Sequence, residues 1–121
     1  MQKTVLTVDD SPSIRRMVAL TLEEAGYTVI EAVDGQDGLK KALSQPVDAI
    51  ITDQNMPNLD GLGFIRALRQ NPAGKGVPIV VLSTDSEDVL KAQAREAGAL
   101  GWMVKPFTQD KLLAVIRKVL G

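Results

Sequence analysis

Residues 49–61 read AIITDQNMPNLDG, and they join a short apolar run to an acidic residue at its end. The run Ala49–Thr52 has the length and composition of a buried strand, and Asp53 follows it directly. Four runs of the same kind occur elsewhere in the chain: Thr4–Val8, Thr28–Ala32, Ile79–Ser83 and Gly101–Val104. The sequence therefore predicts five short strands, one of which ends on a carboxylate.

Helices are predicted between and after these strands, because apolar residues recur there at helical spacing. In the first helix these positions are Ile14, Met17, Val18, Thr21, Leu22 and Ala25. In the last helix they are Leu112, Leu113, Val115, Ile116, Val119 and Leu120. Residues 71–78 are rich in Gly and Pro, and they are expected to connect the third helix to the fourth strand.

Residues that begin and end helices agree with this division. Ser11-Pro12 is typical of an N-cap followed by proline in the first turn, and Asp34 and Thr108 are suited to cap the second and fifth helices. Gly26 and Gly98 lie where helices are expected to end. The pattern is a βα unit repeated five times, which predicts a parallel sheet covered by helices on both faces.

Composition bounds the chemistry that the chain can perform. The 121 residues contain 14 basic and 15 acidic side chains, so no strong net charge attracts nucleic acid or anionic lipid. The absence of cysteine excludes disulfides and thiolate chemistry, and the absence of histidine excludes a Ser-His-Asp triad and histidine-bound zinc. No signal peptide or apolar segment of membrane-spanning length is evident, so a cytoplasmic location is expected. Carboxylates are the remaining reactive groups.

Three of these carboxylates are predicted to meet. Asp9 and Asp10 follow the first strand and Asp53 follows the third, and parallel strands present their carboxyl ends at one edge of a sheet. In isolation, an aspartate in this position is more often a turn former or a helix cap. Two like charges about 4 Å apart repel by about 4 kcal/mol at an effective dielectric constant near 20. A bound Mg²⁺ would relieve that repulsion, and without it at least one pKa should be raised.

Two further side chains are expected at the same edge. Lys105 ends the fifth strand and could neutralise an anionic group on Asp53, although it could equally be an ordinary surface lysine. Ser83 ends the fourth strand and offers a hydroxyl, although a serine at a strand end is often a turn residue.

Four motifs in order resemble the receiver domain of two-component response regulators, and most closely the single-domain chemotaxis regulators of the CheY type. They are VDDS at residues 8–11, DQNMPNLDG at 53–61, Ser83-Thr84, and GWMVKPF at 101–107. The resemblance covers essentially all of residues 1–121 as a single receiver domain. It implies a flavodoxin-like, doubly wound α/β fold with five βα units and strand order 2-1-3-4-5, and a cis bond before Pro106.

The resemblance also implies a role for each site residue. Asp53 is the phosphoacceptor, and Mg²⁺ is bound by Asp53, by Asp10 directly, by Asp9 through water and by the backbone carbonyl of Asn55. Lys105 pairs with the phosphoryl group. Ser83 and Trp102 are the switch residues. Asn55 and Asp85 tune how fast the phosphoryl group is lost.

The same resemblance implies the partners of the chain. A histidine kinase of the CheA type is the expected phosphodonor, and the protein is expected to be a monomer that binds neither nucleic acid nor membrane. No effector segment follows the fifth predicted helix, so we expect the output to be a separate partner, such as a flagellar motor switch protein or a phosphatase. The expected contact surface is formed by the fourth helix, fifth strand and fifth helix. Phosphotransfer to itself and autodephosphorylation are the only expected reactions.

The sequence leaves three alternatives open. Chemotaxis regulators that bind the motor usually have Tyr, Thr and Trp where this chain has Trp102, Ser83 and Gln54, so a phosphate sink or phosphorelay intermediate is an alternative output. A Mg²⁺-dependent phosphatase with an aspartyl nucleophile is a second alternative, but the DQNMP segment lacks the second aspartate of the DxDxT signature. A flavin carrier is a third, but the acidic loop after the first strand would repel a cofactor phosphate.

Overall fold

The computed structural model describes residues 2–120 and contains five strands alternating with five α-helices. The strands are β1 (Thr4–Val8), β2 (Thr28–Ala32), β3 (Ala49–Thr52), β4 (Ile79–Ser83) and β5 (Gly101–Val104). The α-helices are α1 (Pro12–Glu24), α2 (Gly35–Ser44), α3 (Gly61–Gln70), α4 (Asp88–Ala97) and α5 (Gln109–Leu120). All five predicted strand ranges are confirmed.

The strands form one parallel sheet in the order β2-β1-β3-β4-β5, which confirms the predicted α/β fold and strand order. Val8 pairs with Thr52 and with Ala32, so the carboxyl ends of the three neighbouring strands lie level with one another. Ser83 pairs with Val104 on the other side of the sheet. Residues that follow these strands therefore meet at one edge.

Side chains alternate between the two faces of the sheet and build a core on each. Leu6, Ile50 and Val81 contribute to the core beneath α2, α3 and α4. Val5, Ile51 and Leu82 contribute to the core beneath α1 and α5. Because both faces are covered, β1, β3 and β4 are almost wholly buried, as expected for the central strands of a parallel sheet.

Helix boundaries follow the predicted caps. The side chains of Ser11 and Asp34 accept hydrogen bonds from the backbone N–H of Ile14 and Asp37, and Thr108 Oγ1 accepts one from Lys111. Positive φ angles occur at Gly26 just after α1 and at Gly98 just after α4. All of these residues act where the sequence predicted: Ser11, Asp34, Thr108, Gly26 and Gly98.

Two details differ from the prediction. Met17 and Ala25 were expected on the apolar stripe of α1, but both are exposed, Met17 to 41%. Only a narrower arc of that helix, including Val18 and Leu22, faces the sheet, and Ala25 lies just after the helix ends. The segment 71–78 is not wholly irregular, since Pro72–Gly74 forms a turn of 3₁₀ helix in which the Ala73 N–H donates a hydrogen bond to the Asn71 side chain.

Within residues 2–120, every helix is too short or too polar to cross a bilayer. The peptide bond between Lys105 and Pro106 is cis, as the resemblance to receiver domains implied.

Candidate functional site

Three carboxylates converge at the carboxyl edge of the sheet. Asp9 and Asp10 follow β1, Asp53 follows β3, and one oxygen from each lies within 4.8 Å of the others. The Asp53 backbone N–H donates to the carbonyl of Val8, and this bond holds the ends of the two strands together. The predicted convergence of the acidic residues is therefore observed.

Asp9 is the most buried member of this acidic cluster, at 4% exposure. Its Oδ2 accepts a hydrogen bond from Lys105 Nζ at 3.0 Å, and its Oδ1 accepts one from the Ser11 backbone at 2.9 Å. The Arg15 guanidinium donates to its backbone carbonyl at 2.8 Å. Buried charge requires such pairing, and these contacts fix the loop that also carries Asp10.

Asp53 lies beside the same lysine, with its Oδ2 3.5 Å from Lys105 Nζ. Its Oδ1 accepts a hydrogen bond from the Gln54 backbone N–H at 2.8 Å. Burial raises the pKa of Asp53, attraction to Lys105 opposes that rise, and repulsion from Asp9 adds to it. The prediction of a raised pKa among the crowded carboxylates agrees with this direction.

The donor set of the acidic cluster suits a small hard cation. Three carboxylate oxygens close together, with Asp10 exposed to solvent, offer oxygen ligands on one open side. Mg²⁺ is held in proteins by a few carboxylates while it retains several waters. Asp9, Asp10 and Asp53 therefore fit Mg²⁺. The fourth predicted ligand, Asn55, is an exposed residue two positions after Asp53, in the loop between β3 and α3.

The predicted switch residues form a second connected group. Ser83 is fully buried at the end of β4, and its Oγ accepts a hydrogen bond from the Asp85 backbone N–H at 3.1 Å. The Trp102 indole Nε1 donates to the Asp85 carbonyl at 2.8 Å. The half-buried Trp102 ring packs against the core beneath α2, α3 and α4. The backbone of Asp85 therefore links the serine hydroxyl to the indole.

Sequence reasoning missed the role of Gln54. This side chain is 5% exposed, and its Oε1 accepts a hydrogen bond from the Leu62 backbone N–H at 2.9 Å. The Gln54 carbonyl accepts from Gly61 N–H at 2.9 Å. Both bonds satisfy the first turn of α3, whose N–H groups have no partners inside the helix. The available signal was that Gln54 is a polar residue close after a buried strand. Its partner Leu62 lies eight residues away, and residue spacing does not predict that contact.

Residues 5–117 match the family described as response regulator receiver domain. A probable chemotaxis protein CheY of Rhizobium etli is 37% identical over 118 residues, which are 97% of this chain and 92% of that protein. The structure of chemotaxis protein CheY4 of Vibrio cholerae is similar with a TM-score of 0.95 at 43% identity, covering 99% of this chain and all of that one.

A third similar protein is the receiver domain of sensor histidine kinase PA1611 from Pseudomonas aeruginosa, which was solved with a magnesium ion coordinated in its active-site cleft. It has a TM-score of 0.92 at 28% identity and covers 100% of this chain and 99% of its own.

Proposed function

This chain belongs to the response regulator receiver domain family, and from that premise we propose that it is a stand-alone chemotaxis-type regulator that is phosphorylated on Asp53. Members of this family are phosphoacceptor signalling proteins that accept a phosphoryl group on an aspartate. The observation that carries the proposal for this chain is the meeting of Asp9, Asp10, Asp53 and Lys105 at one edge of the sheet. The proposal takes residues 1–121 as one receiver domain.

The proposed reaction starts from a phosphohistidine on a kinase of the CheA type. An Asp53 carboxylate oxygen forms a bond to phosphorus while the phosphorus–nitrogen bond breaks, and the imidazole nitrogen leaves with the electron pair. Lys105, within 3.5 Å of Asp53, balances negative charge on the transferred group. In autodephosphorylation, water attacks phosphorus, the bond to the Asp53 oxygen breaks, and phosphate and the free carboxylate are released.

Mg²⁺ is the proposed cofactor, and when bound it neutralises charge on the phosphoryl oxygens. Asp10 and Asp53 would bind it directly, Asp9 through water, and Asn55 through its backbone carbonyl. Asp9 also holds Lys105 in place, since its Oδ2 lies 3.0 Å from the ammonium nitrogen. Asn55 and Asp85 are proposed to set the rate of phosphoryl loss, and both are solvent-accessible residues next to the acidic cluster and Ser83.

Signal output is proposed to pass through the face formed by α4, β5 and α5. Phosphorylation adds negative charge and acceptor oxygens at Asp53, which draws the Ser83 hydroxyl inward and biases a pre-existing equilibrium at Trp102. Support comes from an open groove of about 400 Å³ between β5 and α5, lined mainly by apolar residues that include Trp102 and Val119, together with Lys118. Leu100 nearby is 66% exposed.

The proposed partners are a histidine kinase and either a flagellar motor switch protein or a phosphatase. The proposed location is the cytoplasm and the proposed state is a monomer. A phosphate-sink output is the alternative, and it is favoured by Trp102, Ser83 and Gln54, which stand where motor-binding regulators usually have Tyr, Thr and Trp. A pull-down of motor switch protein with the phosphorylated and unphosphorylated forms would separate the two outputs.

Intact-mass spectrometry tests the proposed reaction. Incubation with phosphoramidate and MgCl₂ should give one phosphoryl adduct on the wild-type protein and none on Asp53→Asn. Omission of MgCl₂ should abolish or strongly slow the formation of the adduct. A matched Asp110→Asn variant removes an exposed carboxylate from the first turn of α5 and should react like the wild type. A wild-type protein that takes no phosphoryl group would overturn the proposal.

A further inference from the structure

The loop between β3 and α3 rests on the N-terminus of α2. Asn58 Nδ2 donates a hydrogen bond to Asp34 Oδ2 at 2.7 Å, although the two residues are 24 positions apart in the chain. Asp34 uses its other oxygen to cap α2, accepting from the Asp37 N–H at 2.8 Å. The Asp34 carboxylate thus caps α2 and also binds the loop that crosses the start of this helix.

Asn58 is held in an unusual backbone conformation at this contact. Its φ angle is 68°, and within residues 2–120 it is the only residue other than glycine with a positive φ. Asparagine tolerates this region better than most residues, but such a conformation persists only where its surroundings determine it. The hydrogen bond to Asp34 therefore stabilises the loop at the residue whose φ angle is positive.

A second contact beside this bond is steric. A Cβ atom added to Gly35, the first residue of α2, would overlap the carbonyl oxygen of Leu59 and approach the Leu59 Cβ to 2.9 Å. The loop backbone therefore lies directly on the first turn of α2, and only glycine leaves room for it. The hydrogen bond and the close approach act on adjacent loop residues, Asn58 and Leu59.

We propose that the Asn58–Asp34 hydrogen bond is a latch that positions the β3–α3 loop for cation binding, an inference that rests on the proposed function. Asn55 lies three residues before Asn58 in this loop, and it is the residue whose backbone carbonyl is proposed to bind Mg²⁺. The two ends of the loop are Gln54 and Gly61, which are hydrogen-bonded to each other. Between these two ends, the latch is a hydrogen bond that ties the loop to α2 beside the steric contact of Leu59 with Gly35.

The latch uses a charged acceptor, which makes its hydrogen bond stronger than a neutral one. If the loop must be positioned before the cation binds, loss of the latch lowers the Mg²⁺ affinity by the net contribution of one hydrogen bond. That contribution typically corresponds to a change in affinity of about three- to tenfold. Neither Asn58 nor Asp34 is among the proposed Mg²⁺ ligands, so both are positioning residues.

Substitutions at residue 58 separate the hydrogen bond from the backbone conformation. Asn58→Gly removes the bond but accepts a positive φ, so it should weaken Mg²⁺ binding by about three- to tenfold, as measured by calorimetric titration. Hydrogen exchange of the backbone amides on either side of Pro57 in this loop, at residues 55–56 and 58–59, should quicken in parallel. The double variant Asp34→Asn with Asn58→Asp exchanges the two side chains and keeps the same net charge. It again places an amide donor opposite a carboxylate, so it should recover the wild-type Mg²⁺ affinity.

Gly35→Ala tests the steric contact independently, because it displaces the Leu59 carbonyl while leaving Asn58 and Asp34 unchanged, and it should also weaken Mg²⁺ binding. Asn71→Ala is the matched control, since it deletes a hydrogen-bonded asparagine that caps the 3₁₀ turn. Wild-type Mg²⁺ affinity in Asn58→Gly, with unchanged exchange, would overturn the latch alone. A wild-type protein that neither binds Mg²⁺ nor accepts a phosphoryl group would overturn both the latch and the proposed function.

Discussion

The indole Nε1 of Trp102 donates a hydrogen bond to the backbone carbonyl of Asp85 over 2.8 Å. Asp85 in turn donates its N–H to the buried Ser83 Oγ at 3.1 Å. If the Ser83 hydroxyl moves toward a phosphoryl group on Asp53, either its hydrogen bond with the Asp85 N–H breaks or the Asp85 backbone moves with it. A connected pair of hydrogen bonds thus joins the Trp102 indole to Ser83, and we propose that Trp102 responds to the acidic cluster through it.

We expect the fluorescence of Trp102 to report this link, because it is the only tryptophan in the chain. Adding Mg²⁺ and a phosphoryl mimic should shift the emission of the wild-type protein. Ser83→Ala should bind the mimic but lose most of the shift, because Asp85 no longer has a hydroxyl partner, whereas Ser83→Thr should keep it. An emission spectrum that stays constant in the wild-type protein would contradict the switch role of Trp102.

Asp53→Asn should stabilise the metal-free protein by an amount on the order of 1 kcal/mol. The substitution removes a buried charge that lies against Asp9, and it leaves Lys105 paired with Asp9 at 3.0 Å. Urea unfolding in the presence of a chelator measures the change in the free energy of unfolding. Asp110→Asn, on the surface of α5, should change it by much less. Destabilisation of several kcal/mol by Asp53→Asn would argue against repulsion in the acidic cluster.

The stabilisation by Asp53→Asn should depend on pH. The folded pKa of Asp53 is raised above its ordinary value of 3.8, chiefly by burial, so its ionised form disfavours folding above that pKa. As the pH falls through the folded pKa, wild-type Asp53 becomes neutral and the difference between the two proteins should shrink.

Asp34 titrates in the opposite sense, since its pKa is lowered, chiefly by the Asp37 N–H and also by Asn58. Its stabilising effect is present above the ordinary value of 3.8 and is lost as the pH falls through its folded pKa. This loss occurs in the wild type and in Asp53→Asn alike, so it cancels in the difference. Urea midpoints of both proteins over a pH series check the prediction, and a difference that grew on acidification would contradict it.

Arg69→Met should destabilise the fold by about 2 kcal/mol. The Arg69 guanidinium donates to the carbonyls of Gly74 at 2.6 Å and Gly98 at 2.7 Å, so it joins the end of α3 to the turn after α4. Burial lowers its pKa. Arg66→Met on the exposed side of the same helix is the matched control and should change the free energy of unfolding little. Equal effects of the two substitutions in urea unfolding would show that the carbonyl contacts contribute nothing.

The strands and the acidic cluster were predictable because their signals are local. A buried parallel strand is a short β-branched run, and an aspartate at its end must emerge at the carboxyl edge of the sheet, so Asp9, Asp10 and Asp53 could be placed together from sequence order alone. Caps such as Ser11 were predictable for the same reason, since their partners lie three residues away.

Contacts between distant segments could not be predicted in this way. Asn58 gives no sign in the sequence that its φ is positive, and its partner Asp34 had already been explained as a helix cap. Arg69 has the spacing of an ordinary surface arginine, yet it binds carbonyls up to 29 residues away. Such roles depend on how helices pack across the sheet, which residue types do not specify.

Lys105 bridges Asp9 and Asp53 across the acidic cluster, so the resting site carries its own counterion. We propose that a dication bound by these carboxylates competes with the Lys105 ammonium for Asp9 Oδ2 and Asp53 Oδ2. One ammonium therefore offsets part of the negative charge of the three carboxylates whenever no cation is bound to them.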